Sequence, residues 1–493
     1  MASPDSSQPV DAGELDMIVV GAGLAGINTG YYIQNYAGRK TSYTILEGRA
    51  HLGGTWDLFK YPGIRCDSDI YTFGFSWNPF KGTRPLVQAP EILDYFAQSA
   101  AMAGVDKHIQ LNHRVTDAAW SSKTNRWTLT VTADGDKVKV YRARFVVFCT
   151  GYYDYEKPFQ TTVPGIENFQ GQIIQPQFWP EDLDYTDKNM VIIGSGATAV
   201  TVLPSVAPKV KHVTMLQRSP TFMFPFPMTT PWLLRLCLRF LPRTLGAIVT
   251  RWTYILWHYI NYYACRFFPR ITKKWLVGLA AQRLPPNVPV RPHFTPSYNP
   301  WDQRICAVPE GDFFKPIRSG KASVVTDTIA TVTEKEIKLA SGQTLQPDII
   351  VLATGIKLQF GGGIPISVDG SRVYAGDKYA WRGCMVQDVP NFAFVAGYAN
   401  ASWTLGAEAA SVVFMRLWNL MDKRDINSAT PRLPLGGDKM PRRPFFGLTS
   451  TYLQNATQVF PNSGEGQWQL NYNYVVDITR ATWGDIQGVM EFH

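Results

Sequence analysis

At 493 residues, with 45% hydrophobic and 18% charged side chains, the chain has the apolar material for large buried cores, and intrinsic disorder is excluded. At ~100–200 residues per domain it divides into two to four domains. The net charge of +9, with no run of clustered Lys or Arg and no nucleic-acid motif, fits an enzyme that binds phosphorylated cofactors better than a nucleic-acid binder.

Residues 1–11 are polar and lack the apolar core of a secretory signal. The first apolar strand is Met17-Ile18-Val19-Val20, followed by Gly21-Ala22-Gly23-Leu24-Ala25-Gly26 and a helix-like stretch. In this context the first glycine permits the tight turn, the second lets the backbone approach a pyrophosphate, and the third lets helix and strand pack closely. A second strand, Tyr43 to Leu46, ends at Glu47, 21 residues after Gly26. A carboxylate at that place binds the ribose hydroxyls of an adenosine, which suits FAD or NAD and disfavours a 2′-phosphate. Trp127 to Val131 and Val138 to Phe145 alternate in period two around Asp134-Gly135, a hairpin pattern, and the unit closes on an apolar strand running to Thr150-Gly151.

The same order then repeats. Met190 to Ile193 leads into Gly194-Ser195-Gly196-Ala197-Thr198-Ala199, with the small Ala199 in the third glycine's place. The next strand, Val213 to Leu216, ends in Gln217-Arg218-Ser219, so the acid is gone and a cation is present, which favours the 2′-phosphate of NADPH over a plain surface arginine. Val324 to Thr333 and Glu336 to Leu339 precede Ser341-Gly342 as a second hairpin, and Ile349 leads to Thr354-Gly355. Between these parts lies an insertion, about 225–300, rich in Leu, Trp, Tyr, Pro and Arg. It reads as helices capping a cleft, with at most a weak association with a membrane surface. Its longest uncharged apolar run, Trp252 to Cys265, is too short for a span.

The expected fold is therefore α/β, with two Rossmann-like, three-layer dinucleotide-binding domains and a helical insertion. The simplest pairing of two such sites is a flavin fed by a nicotinamide. The six cysteines, at 66, 149, 237, 265, 306 and 384, form no C-x-x-C pair. This leaves no zinc site and no adjacent redox disulfide, fits a reducing, cytoplasmic setting, and makes oxygen or an organic compound the electron acceptor.

More specific is Gly53-Gly54-Thr55-Trp56 followed by Tyr61-Pro62-Gly63-Ile64-Arg65-Cys66-Asp67. It resembles the G-G-x-W…Y-P-G-x-x-x-D signature of class B flavoprotein monooxygenases, type I Baeyer–Villiger enzymes in particular, and among them the ethionamide-activating type. The resemblance runs along almost the whole chain, through Val191 to Pro204, His212 to Pro220, Tyr298 to Pro309 and Asn400 to Leu405.

The resemblance implies an FAD domain (1–155 and 380–493) split by an NADPH domain (156–224 and 301–379), itself split by the helical insertion (225–300). It implies that NADPH reduces FAD, that reduced flavin captures O2 as a C4a-peroxide, and that this inserts one oxygen into a small apolar ketone or oxidises a sulfide. By position, Arg304 matches the catalytic arginine and Asp67 an acid that holds it near the flavin. Asp67-Ser68-Asp69 would also serve as a helix cap. Thr55 and Trp56 should lie along the flavin and Trp403 near the nicotinamide or substrate.

Two positions depart from the pattern. The fingerprint F-x-G-x-x-x-H-x-x-x-W-P is carried by Phe169, Gly171, Trp179 and Pro180, but Gln175 replaces the histidine. A glutamine can hydrogen-bond but cannot take up a proton, so coupling is the property at stake, with an uncoupled NADPH oxidase as one alternative and a heteroatom oxygenase as another. Gln303 stands where many members have a lysine, which leaves Arg218 as the main 2′-phosphate contact.

Overall fold

The computed structural model describes residues 9–493, so most of the polar N-terminal stretch lies outside the described residues. Strand alternation organises the first body. In the strand Val10–Val20, Met17 and Val19 face one core while Ile18 and Val20 face the other, as the two-residue repeat of a strand requires. Helices Leu24–Tyr36, Ala89–Ala103 and Trp403–Lys423 cover the first face. The antiparallel strands His113–Ser121 and Arg126–Ala133 cover the second. The long strand Lys137–Phe148 joins both layers. It pairs antiparallel with Arg126–Ala133 near its start and parallel with Phe392–Phe394 near its end, while its other edge pairs with Val10–Val20. Asp134 and Gly135, both at positive φ, make the hairpin turn.

The second body repeats this plan around a five-stranded parallel sheet, in which Asn189–Ile193 lies between His212–Gln217 and Ile349–Leu352. Met190 and Ile192 pack against the helix Ala197–Val206; Val191 and Ile193 pack against a small antiparallel sheet through Val332, Ile337 and Leu339. Both bodies are thus three-layered α/β units.

Three expectations change. The expected strand Val324 to Thr333 is broken. Ala322–Thr326 stays in the parallel sheet, while Ile329–Val332 turns away to pair with Ile337–Leu339. Asp327 makes the break, accepting from the N–H groups of Thr328 (2.7 Å) and Ser341 (3.1 Å) and so competing with the ladder. The chain also re-enters the first body earlier than residue 380. Ile366–Val368 pairs with Ala118–Trp120 of the first sheet, a three-residue strand too short to show as a pattern in sequence. Finally, the insertion does not cap the cleft between the bodies, whose lining passes from Thr221 directly to Gln303.

The two crossings between the bodies run side by side. The Asp154 N–H donates to the Lys357 carbonyl (2.8 Å), the Gln359 N–H to the Tyr152 carbonyl (3.0 Å), and Lys357 Nζ meets Asp154 Oδ2 at 2.8 Å. One short antiparallel staple therefore carries both links.

The insertion comprises helices Trp232–Phe240, Arg243–Phe267 and Pro269–Ala281. It leaves and returns through the adjacent parallel strands Met223–Phe226 and Cys306–Pro309. Its long helix is anchored to the first body by Arg251. That guanidinium pairs with Glu408 at 2.9 Å and donates to the carbonyls of Tyr71 (2.9 Å) and Gly74 (2.8 Å). Glu408 also accepts from Ser76 N–H and Tyr474 Oη. With only 10% and 2% of the two side chains exposed, removing one partner leaves the other charge buried and unpaired, at a cost of about 3–5 kcal/mol. Glu408→Ala is expected to lower the thermal midpoint sharply. Glu408→Ala combined with Arg251→Met should cost much less than the sum of the two single changes, and additive losses would show that the pair is not coupled.

Candidate active site

A cleft of about 1140 Å³ lies between the bodies, and both glycine turns open onto it. In the first, Gly21 sits at φ +103°, where L side chains are strained, and a Cβ on Gly26 would lie 1.9 Å from the Gly21 carbonyl oxygen. Gly26 is therefore a packing glycine behind the cradle. Gly23 begins the helix Leu24–Tyr36 with no side chain capping the end, and a Cβ there would come within 3.6 Å of the Gly54 Cα. Two stretches of bare backbone face each other at an uncapped helix N-terminus, a setting that suits a pyrophosphate.

Glu47 follows the strand Tyr43–Leu46 and lines the cleft. Its Oε2 accepts from the Ala22 N–H at 2.7 Å and its Oε1 from the Arg49 N–H at 2.9 Å. Burial raises its carboxyl above the ordinary range against the pull of these two donors. An ionised carboxylate oxygen has two acceptor sites, so each retains capacity for a ribose hydroxyl. Thr55 Oγ1 lies 3.1 Å from Tyr155 Oη, and Trp56 packs edge-on against Phe73. Trp403, which also lines the cleft, begins the helix Trp403–Lys423 and stacks on Tyr152 with ring centroids 4.5 Å apart.

The second cradle has the same construction. Gly194 is at φ +133°, where a Cβ would lie 2.1 Å from the Ala353 carbonyl oxygen. Gly196 begins the helix Ala197–Val206, again with no side-chain cap, and has no atom within 4 Å of its Cβ position. Ala199 is wholly buried in the helix–sheet core. Ser195 Oγ donates to the Ser219 carbonyl at 2.7 Å. Arg218 is exposed at the cleft margin. Gln217, in the position of a ribose-binding acid, is turned away, its amide donating to the His293 carbonyl (2.7 Å) and Thr326 Oγ1 (2.9 Å).

Arg304 and Asp67 both line the cleft between the cradles. No ion pair joins them directly among the described residues. The Arg304 guanidinium makes two long contacts instead, 3.4 Å each, to the Ala399 carbonyl and Ser68 Oγ. Burial works against its charge, but the Asp67 carboxylate, with smaller help from Tyr152, Tyr452 and Cys66, outweighs it, so its pKa is raised. Burial in turn raises the Asp67 carboxyl, against the pull of Arg304 and Arg65. The capping task falls to Asp69, which accepts from the Thr72 N–H at 2.8 Å and starts the short helix Ile70–Phe73. Asp67 is left facing the cleft.

The fingerprint residues lie off the cleft. Phe169 is buried under the second sheet, and a Cβ on Gly171 would meet the Asp348 carbonyl oxygen at 2.5 Å. Trp179 is buried and Pro180 exposed. Gln175 is half-buried, and its carbonyl accepts from the Phe178 N–H. Two residues on, Gln177 donates to the Asp154 carbonyl at 2.6 Å, so this segment braces the crossing between the bodies.

The structure adds residues that the sequence reading did not single out. Tyr152, Tyr153, Tyr155 and Tyr452 form an aromatic wall. Three of these follow Thr150-Gly151 directly, and that spacing was a usable signal; nothing local marks Tyr452. Arg65, inside the Y-P-G segment, pairs with Asp312 of the second body at 2.7 Å. Its Nε and Nη2 are buried without a protein partner among the described residues. All six cysteines are free thiols, and the described residues hold no cluster suited to a metal ion.

Residues 18–261 match the FMO-like family, described as flavin-binding monooxygenase-like. The chain is 45% identical over 465 residues to the FAD-containing monooxygenase EthA of Mycolicibacterium smegmatis, with 94% of each chain covered. It is 39% identical over 486 residues to the probable FAD-binding monooxygenase AlmA of Acinetobacter baylyi, covering 97% of this chain and 96% of the relative. Among solved structures it resembles an open form of cyclohexanone monooxygenase (TM-score 0.74, 19% identity, 98% of this chain and 100% of that one). It also resembles OTEMO in complex with FAD and NADP (TM-score 0.72, 18% identity, 97% and 99%). At those identities the structural likeness establishes the fold, while the sequence likeness establishes kinship: the chain belongs to the flavin-binding monooxygenase-like family and is an enzyme of that family.

Proposed function

We propose that this enzyme is an FAD-dependent, NADPH-consuming monooxygenase that places one oxygen atom of O2 next to the carbonyl of a small apolar ketone, giving an ester or lactone, or onto a sulfide. The observation that carries this reading is that two glycine cradles open on one cleft with Arg304 between them. The first body takes FAD, with Gly21, Gly23 and Gly54 at the pyrophosphate, Glu47 at the ribose, and Thr55 and Trp56 beside the ring. The second takes NADPH, with Gly194 and Gly196 at the pyrophosphate and Arg218 and Ser219 at the 2′-phosphate. The bound flavin, once reduced by NADPH, supplies the activated oxygen.

The chain's own residues do the rest. Arg304 presents a permanent cation where negative charge develops on a carbonyl oxygen under attack. Asp67 holds that cation's charge through the field of its carboxylate. The wall of Tyr152, Tyr153 and Trp403 keeps water from the reacting groups and gives an apolar substrate a surface to lie on.

The uncoupled-oxidase alternative rests on Gln175. Gln175 lies outside the cleft lining, and its neighbour Gln177 bonds the crossing between the bodies, which supports a role for Gln175 in coupling rather than in the chemistry itself.

Arg304→Ala should keep FAD and continue to oxidise NADPH while losing oxygenated product by about 10²–10³-fold, with the electrons appearing as hydrogen peroxide. Undiminished turnover of ketone or sulfide in that variant would overturn the assignment. Arg218→Ala should raise KM for NADPH by roughly 10–100-fold, as expected for loss of a charge-assisted hydrogen bond, and leave KM for NADH unchanged. An equal effect on both nucleotides would remove Arg218 from the 2′-phosphate. Gln175→His should leave the ratio of product to NADPH unchanged or improve it; a large fall would show that the glutamine is itself adapted to this protein.

A further inference from the structure

The long insert helix buries one face against the first body through Arg251, Tyr254 and Ile255. Its outer face should then be polar. It is apolar along its length instead. Ile248, Trp252, Leu256, Ile260, Tyr263 and Phe267 recur every three or four residues and are all exposed, Ile260 and Phe267 at 68% and 73%. The neighbouring helices continue this surface with Trp232 and Phe240 on one side and Ile271 and Trp275 on the other. Fifteen of the 26 exposed large hydrophobic side chains among the described residues fall between positions 232 and 275, so this is a built surface rather than the usual scatter.

The charge pattern decides what covers it. Residues 225–300 contain ten Lys and Arg and no Asp or Glu. Arg251 and Arg266 are neutralised from outside the insertion, by Glu408 and Asp302. Arg235, Arg239, Arg243, Arg270 and Lys274 are exposed with no carboxylate partner among the described residues. Two copies meeting through this face would bring cations against cations with no acid between them. An anionic lipid surface supplies the missing charge. The composition, exposed Trp, Phe, Leu and Ile with Arg and Lys at the margins, is that of a helix lying in the interfacial plane, where indole rings settle at headgroup depth and arginine stems reach up to phosphate. No helix among the described residues is long and apolar enough to cross a membrane. We propose that the insertion docks the enzyme monotopically on an anionic phospholipid bilayer, with the outer stripe of its long helix at the level of the headgroups.

The test is co-flotation of the purified FAD-loaded enzyme with phosphatidylcholine vesicles, with and without phosphatidylglycerol. Retention should be at least tenfold greater on the anionic vesicles and should fall as salt is raised. Ile260→Glu with Phe267→Glu should abolish it, and Arg235→Glu with Arg239→Glu should weaken it about tenfold. NADPH oxidation should be unchanged in both double variants, which shows that each is folded. Absence of retention on either vesicle, retention unaffected by both variants, or a concentration-dependent dimer that the Ile260 and Phe267 changes dissolve without any lipid binding would each overturn the proposal, the last in favour of a second copy of this chain.

Discussion

The constraint that organises the molecule is that one chain must build two glycine cradles opening on the same cleft. Each cradle is dictated locally, by a strand, a turn at positive φ and a helix with a bare N-terminus. Their facing one another is not local. It depends on where the chain crosses between the bodies, and both crossings pass through one antiparallel staple at Tyr152–Asp154 and Lys357–Gln359. Two links this short and adjacent tie the bodies together at one place, and the Arg65–Asp312 pair is a further contact between them. The fingerprint segment abuts this staple through Gln177, and its residues are not part of the cleft lining.

The electrostatics of the cleft follow from the same arrangement. Arg304, Asp67 and Arg65 line the cleft together, close enough to feel one another's charge. Because Arg304 is held by two long contacts to neutral oxygens rather than by a direct ion pair, its guanidinium is charged yet lightly tethered. A tight salt bridge would have spent its donors on a carboxylate. The loop that carries it is fixed instead one turn away. Asp302 takes Arg266 of the long insert helix at 2.8 Å and the Thr449 N–H, and Trp301 packs on Tyr262 and His258. The backbone is thus held firmly beside a guanidinium that keeps most of its donors free.

Much of this was legible in sequence because local rules produced it. The two strand–glycine–helix units, Tyr43–Leu46 ending at Glu47, and the Asp134-Gly135 hairpin fall where periodicity and turn residues place them. What was not legible depends on partners distant in the chain. Ile366–Val368 is a strand only because Ala118–Trp120 offers an edge. Asp327 ends a strand only because Ser341 returns to meet it. Tyr452 joins the aromatic wall from a C-terminal segment with no pattern of its own. Asp67 and Asp69, two residues apart, could each have been the cap, and the choice was made by which side chain reached Thr72.

The insertion shows the same limit from the other side. Its apolar stretches read as buried helices over a cleft because burial is the usual fate of such residues. What the pattern could not show is that Arg251 would be drawn inward to Glu408, turning the helix so that only one of its two apolar faces meets protein. A helix anchored by a buried ion pair cannot roll to hide its second face without breaking that pair. The outer stripe is therefore exposed as a consequence of the anchor, and the absence of any acid among the cations around it removes the ordinary means by which a soluble surface tolerates such a stripe. The inner face of this helix braces the Arg304 loop, so the anchor that positions the cleft is also what presents the apolar face outward.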